Sequence, residues 1–164
     1  MGVFSFDIVS DFDKSEMNNV LDQSQREIAN RYDFKGTKAS VDWLGDKTGL
    51  KITGDHQFHL DSIIEIARKK AGSRGISLKT FDTSKEPVTN NLQMSWEVPF
   101  VKGLDQDKAK KITSLLREKV PKVKTQIQGE EVRVMSSKKD ELQEAMQIIK
   151  AADLPFPINF TNFR

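Results

Sequence analysis

Within six residues, Arg31-Tyr32-Asp33-Phe34-Lys35-Gly36 gathers two cations, two aromatic rings and a glycine. Arginine and aromatic faces both stack on a nucleobase, cations hold phosphate, and a glycine lets a ligand approach the backbone. The competing reading of the same residues is a helix cap with Phe34 tucked into the core. A second candidate is Arg68-Lys69-Lys70-Ala71-Gly72-Ser73-Arg74-Gly75, where several long cations precede a flexible turn suited to phosphate. Cations at a helix C-terminus also serve the helix dipole with no ligand at all. Arg133 shares the outward positions of two strands with Lys124, Gln126 and Gln128, a face that either hydrogen-bonds a nucleotide or is simply solvated. Phosphate contacts are therefore expected at Arg31, Lys35, Lys69, Arg74 and Arg133, and stacking at Tyr32 or Trp96. Lys108, Lys110 and Lys111 read as the solvated face of an amphipathic helix.

Reaction chemistry finds no support in the same pattern. The chain has neither Gly-x-x-x-x-Gly-Lys-Ser/Thr nor Gly-x-Gly-x-x-Gly, the loops that cradle phosphates in many nucleotide-hydrolysing and dinucleotide-binding proteins. His56 and His59 stand three apart beside Asp55 and Asp61, but no third ligand follows at a metal-binding spacing. Cysteine is absent, which removes disulfides, thiolate chemistry and cysteine-ligated metals. The many carboxylates sit on helix surfaces in contexts that would not shift their pKa. No catalytic residue, metal or cofactor is expected.

The elements that position these residues repeat. Lys51-Ile-Thr-Gly-Asp55 runs into a helix bearing Leu60, Ile63, Ile64, Ile66 and Ala67; Arg133-Val-Met-Ser-Ser137 runs into one bearing Leu142, Ala145, Met146, Ile148 and Ile149. Phe4, Phe6 and Ile8 alternate with Ser5, Asp7 and Val9 as in a half-buried strand, and Met94, Trp96, Val98 and Phe100 do the same after Asn91. Asp11 and Asp13 precede a helix with Met17, Val20, Leu21 and Ile28 on one stripe. A hairpin is expected around Gly45–Gly49, another around Gly129, and closing strands over 76–81 and 156–163. The pattern predicts an α+β protein of tandem ferredoxin-like (split βαβ) domains, each a four-stranded antiparallel sheet with two helices on one face. The expected boundaries are 1–84 and 92–164 joined by a linker at 85–91, with exchange of the terminal strand between domains as an alternative. The sheet faces offer no aromatic platform of the kind RNA-recognition domains use. Expected outward residues are Ser5, Asp7, Ser40, Asp42 and Lys51 in one domain, and Ser95, Glu97, Lys124, Gln126, Gln128 and Arg133 in the other.

Composition bounds the class. With 164 residues, 37% hydrophobic and 30% charged, the chain suits a soluble globular protein of two compact domains. The net charge of +2 carries no overall basic field. The first residues lack the basic and apolar regions of a signal peptide, and no apolar run reaches the ~20 residues that span a bilayer. A cytoplasmic protein with no membrane partner is expected.

Several stretches carry a family resemblance: Phe4-Ser-Phe-Asp-Ile-Val-Ser10, Arg26-Glu-Ile28 with Arg31–Gly36, Ser73-Arg-Gly-Ile76, Asp107-Lys-Ala-Lys-Lys-Ile112, Lys122-Val-Lys124 with Gln126-Ile-Gln-Gly129, and Phe160-Thr-Asn-Phe-Arg164. In order along nearly the whole chain, they resemble the bacterial YajQ family. The resemblance implies tandem ribonucleoprotein-like domains and a nucleotide-binding rather than catalytic role. It further implies, for some members, a cyclic di-GMP effector acting with a transcription regulator, and RNA binding is also suggested for the family. It fixes no ligand residue. Three readings follow: a nucleotide-binding protein without turnover, with cyclic di-GMP, GTP or ATP as ligand; an RNA-binding or RNA-chaperone module; and a protein-interaction adaptor. In the first, ligand held on one domain or in the interdomain cleft biases the placement of the two domains.

Overall fold

A computed structural model describes residues 2–164. It contains strands β1 (Phe4–Val9), β2 (Ser40–Leu44), β3 (Gly49–Gly54), β4 (Val88–Asn90), β5 (Gln93–Pro99), β6 (Lys124–Gln128), β7 (Glu131–Ser136) and β8 (Asn159–Thr161). The long helices are α1 (Lys14–Asn30), α2 (Gln57–Ser73), α3 (Gln106–Lys119) and α4 (Lys139–Ala151). The strands form two antiparallel sheets of four, ordered β6-β7-β1-β8 and β2-β3-β5-β4. The chain is α+β, with two ferredoxin-like sheets each backed by two helices. Among the described residues no helix is long and apolar enough to cross a membrane.

Strand pairing revises the expected boundaries. β1 lies between β7 and β8, and β5 between β3 and β4, so each opening strand belongs with the other copy's helices. One compact unit joins the chain up to Asp11 to Lys102–Arg164, and the other is Phe12–Val101. In the first, the order β1, α3, β6, β7, α4, β8 is an uninterrupted β-α-β-β-α-β plan with residues 12–101 inserted after its opening strand. In the second, the same plan begins at α1 and its opening strand comes last, as β5. Insertion requires neighbouring exit and return points, and the Gly103 N–H donates to the Ser10 carbonyl at 2.6 Å. Residues 85–91 are not a linker: β4 pairs with β5 through a two-residue turn, Asn91-Leu92, with φ of 49° and 64°. Positive φ at both positions is the hairpin geometry that matches strand twist, and asparagine tolerates it. The strand expected over 76–81 is instead a short 3₁₀ turn, Leu78–Thr80, followed by a single bridge from Phe81 to Phe100.

Burial follows alternation within each unit. In residues 12–101, the cross-strand rows Val41-Ile52-Trp96 and Trp43-Leu50-Val98 pack on Met17, Val20, Leu60, Ile63 and Ala67. In the other unit, Ile127-Val132-Ile8-Phe160 and Thr125-Val134-Phe6 form the rows on the helix side. Fully burying one such aliphatic side chain contributes ~1.5–3 kcal/mol, so these rows dominate the stability of each sheet. Asp13 caps α1 by accepting from the Ser15 and Glu16 N–H groups at 2.8 and 3.1 Å, and Asp105 caps α3 through the Lys108 N–H at 2.8 Å.

Candidate functional site

The Arg31–Gly36 segment leaves α1 and turns through a short 3₁₀ helix, Tyr32–Phe34. Phe34 enters the core and meets the His59 ring edge-on at 5.5 Å, as a cap with a buried anchor would. Tyr32, two positions before it, is 88% exposed. Gly36 has φ +72° with nothing near a built Cβ, so the left-handed turn itself selects glycine there. The Arg31 guanidinium is fixed: Nε and Nη2 donate to the two Asp33 carboxylate oxygens at 3.1 and 2.8 Å. Nη1 lies 3.7 Å from Glu27, and the group sits 4.8 Å above the Phe34 ring. The Asp33 hydrogen bond raises the Arg31 pKa, and the same bond lowers that of Asp33. Two of the five Arg31 N–H donors are thus committed to Asp33, and the pair orients the turn. Lys35 is exposed and in no ion pair among the described residues.

The basic end of α2 is distributed differently from expectation. Lys70 rather than Lys69 reaches the cluster, with Nζ 2.9 Å from the Glu27 carboxylate that Arg31 also faces. Lys69 is exposed and has no ion pair among the described residues. Arg74 is held by Glu16 at 3.2 Å. Glu16 and Glu27 are eleven positions apart on α1, about 16 Å along a helix, so Arg74 and Arg31 do not converge. Trp96 is no stacking residue: it is 8% exposed, and its indole N–H donates to the Lys85 carbonyl at 2.7 Å. The reason is alternation, which puts Trp96 on the helix side of β5 opposite Ile52.

Arg133 lies in the other unit, on the open face of its sheet, in a row Gln126-Arg133-Asp7-Thr161. Its Nε donates to Asp7 Oδ1 at 3.0 Å, and Asn162 donates to Asp7 Oδ2 at 2.8 Å. Asp7, expected as a solvated outward residue, is 1% exposed. The Arg133 hydrogen bond, aided by Asn162 and the Arg164 charge, holds the Asp7 carboxyl below the usual range against the opposing effect of burial. Asp7 raises the Arg133 pKa in turn. Neither the burial of Asp7 nor its bond to Asn162 is legible in the sequence, because strand alternation alone reads Asp7 as facing water. Ser95 and Glu97 join Ser40, Asp42, Lys51 and Thr53 on the other open face, a row of polar side chains with no ring among them.

His59 is buried, and its Nδ1 accepts from the Asp55 N–H at 3.0 Å, so that lone pair is committed. Burial, then the neighbouring His56, lowers its pKa, with Asp55 and Asp33 opposing. A Cβ on Gly54 would fall 2.5 Å from that of His59, so the close approach of strand and helix requires glycine. Among the described residues no three side chains of the metal-ligating types come together.

Fold and side chains together define a two-unit ferredoxin-like protein whose exposed Tyr32 and Lys35 are presented by an ion-paired turn. The chain belongs to the YajQ-like nucleotide-binding protein family, which matches residues 4–164. A protein of Trichodesmium erythraeum named nucleotide-binding protein is 46% identical over 160 residues, covering 98% of this chain and 97% of that one. Similarly named proteins from Nostoc punctiforme and Chloroherpeton thalassium are 42% and 38% identical over 161 residues, each covering 98% of both chains.

Proposed function

We propose that this chain is a nucleotide-binding protein that acts by binding rather than turnover, with the base on Tyr32 and a phosphate on Lys35. The ligand we favour is cyclic di-GMP, with GTP and ATP as the other candidates, and the output is an influence on gene expression through a transcription regulator. A cytoplasmic setting goes with that role. The observation that carries this reading is the exposed Tyr32 ring on a turn locked by the Arg31–Asp33 fork, among relatives whose names say nucleotide-binding. The Arg31–Asp33 pair restrains the turn, which lessens the ordering that opposes binding. Tyr32→Ala removes a ring with almost no burial, so stability stays unchanged. Base stacking on an aromatic is worth about 1–3 kcal/mol, so affinity for fluorescent cyclic di-GMP falls about five-fold or more. Anisotropy titration of both proteins is the test; equal affinities overturn the placement.

A second reading, RNA binding, has one observation of its own. Between positions 108 and 124 lie Lys108, Lys110, Lys111, Arg117, Lys119, Lys122 and Lys124 against Glu118 alone. None of the seven is in an ion pair among the described residues, whereas Arg26, Arg31, Arg68, Lys70 and Arg74 of the other unit each are. A strand crossing four or five of these cations gives a salt slope of roughly −3 on logarithmic axes, far steeper than one small nucleotide gives.

A further inference from the structure

Strict alternation along 160–163 would send Phe160 and Phe163 to opposite faces of the sheet. The backbone prevents this. Thr161 pairs with Asp7, and Arg164 exchanges backbone hydrogen bonds with Ser5 at 3.3 and 3.0 Å, so four residues oppose three. The extra residue is a bulge at Asn162, with φ 54°. Asn162 thereby faces Asp7, and Phe163 returns to the helix side, stacked on Phe6 with centroids 6.0 Å apart and planes at 28°. Phe163 is nevertheless 62% exposed, so packing on Phe6 covers only part of its ring.

The uncovered part overhangs a cleft of about 310 Å³ inside this unit, floored by Phe4, Phe6, Leu142 and Met146. That volume is at the low end for small-ligand sites, room for one mononucleotide. Lys139, whose ammonium lies 4.9 Å over the Phe4 ring, and Arg164 are on its walls, and among the described residues no Asp or Glu is. Gln143, also on the wall, is exposed one turn beyond Lys139 on the same face of α4 and presents both an amide donor and an acceptor. Apolar rings, an amide and two cations suit a planar heterocycle carrying a negative group. We propose that this cleft is a base-binding site for a nucleoside monophosphate unit, with the base against Phe163, its edge at Gln143 and the phosphate at Lys139. The choice of ligand class rests on the nucleotide reading above; the site does not share residues with the Tyr32 turn.

The test is titration of the full chain, labelled with ¹³C at its methionine methyls, with guanosine monophosphate, alongside calorimetry. Met146 lines the cleft, while Met17 and Met94 sit in or against the core of residues 12–101 and serve as internal references. The expected result is a saturable Met146 shift, with Phe163→Ala weakening the apparent affinity about ten-fold. Phe163→Leu, which keeps apolar contact with Phe6, weakens it similarly, so the loss tracks the ring rather than folding. Calorimetric binding without a Met146 shift, unchanged affinity in both variants, or a Met146 shift with laurate but not with the nucleotide overturns the proposal. Binding abolished by Tyr32→Ala but untouched at Phe163 removes the cleft alone and leaves the functional reading standing. Absence of any nucleotide binding removes both.

Discussion

Replacing Asp7 by asparagine keeps the shape of a buried side chain and removes its charge. Asp7 accepts from Arg133 and Asn162, at 3.0 and 2.8 Å. Hydrogen bonds to a charged group contribute about 1.5–3 kcal/mol each, and the substituted amide retains one acceptor oxygen, so about one such bond is lost. Arg133, with 23% of its side chain exposed, recovers part of its hydration, which lowers the cost. The expected destabilisation of this unit is about 2 kcal/mol. Both tryptophans lie in residues 12–101, so indole fluorescence does not report it. Amide hydrogen exchange in β1 and β7 does, and the expected cost corresponds to about 30-fold faster exchange through opening of the sheet. The sign of the pH dependence is also set. The folded-state pKa of Asp7 is lowered, so its contribution is whole above the unfolded value near ~3.9 and is lost as pH falls through the folded value beneath it. Asp7→Asn lacks this component of acid sensitivity. Unchanged exchange together with an unchanged acid profile would refute the reasoning.

Trp96→Phe loses the hydrogen bond to the Lys85 carbonyl and is expected to cost about 1 kcal/mol in urea unfolding, with nucleotide affinity unaltered. The lowered pKa of His59 means the folded state resists its protonation, so stability of residues 12–101 is whole above ~6.5 and declines as pH falls toward the folded value. His59→Gln flattens that decline, read by tryptophan fluorescence in urea at a series of pH values. Arg74→Gln, at a residue already neutralised by Glu16, leaves nucleotide affinity within about two-fold by calorimetry.

The opening strand shows how far sequence reading reaches. Its alternation identifies Phe6 and Ile8 as core, and both are fully buried. Its partner is not legible, because the apolar and polar sets of β1 and β5 are interchangeable by pattern and the choice between them is a long-range pairing. That one ambiguity moves both domain boundaries and turns Asp7 from a solvated residue into a buried acceptor. The Asn91-Leu92 turn escapes a sequence reading because it lacks the glycine that usually marks such a hairpin. In the Arg31–Gly36 motif, the helix-cap reading holds, since Phe34 is the buried anchor, while Tyr32 stays outside. Arg31 is already paired with the Asp33 two positions later, a local partner visible in the sequence that takes two of its donors. Lys70 rather than Lys69 joins that turn through Glu27, a choice of helix face that only the packing of α1 on α2 decides.

The most direct measurement is calorimetric titration of the full chain with cyclic di-GMP, GTP, ATP and a short single-stranded RNA, at low and near-physiological salt. Saturable binding of one small nucleotide that persists at the higher salt is the expected result. Binding of the RNA alone, lost as salt rises, would contradict the nucleotide account and assign the protein to the lysine-rich surface of residues 108–124 instead.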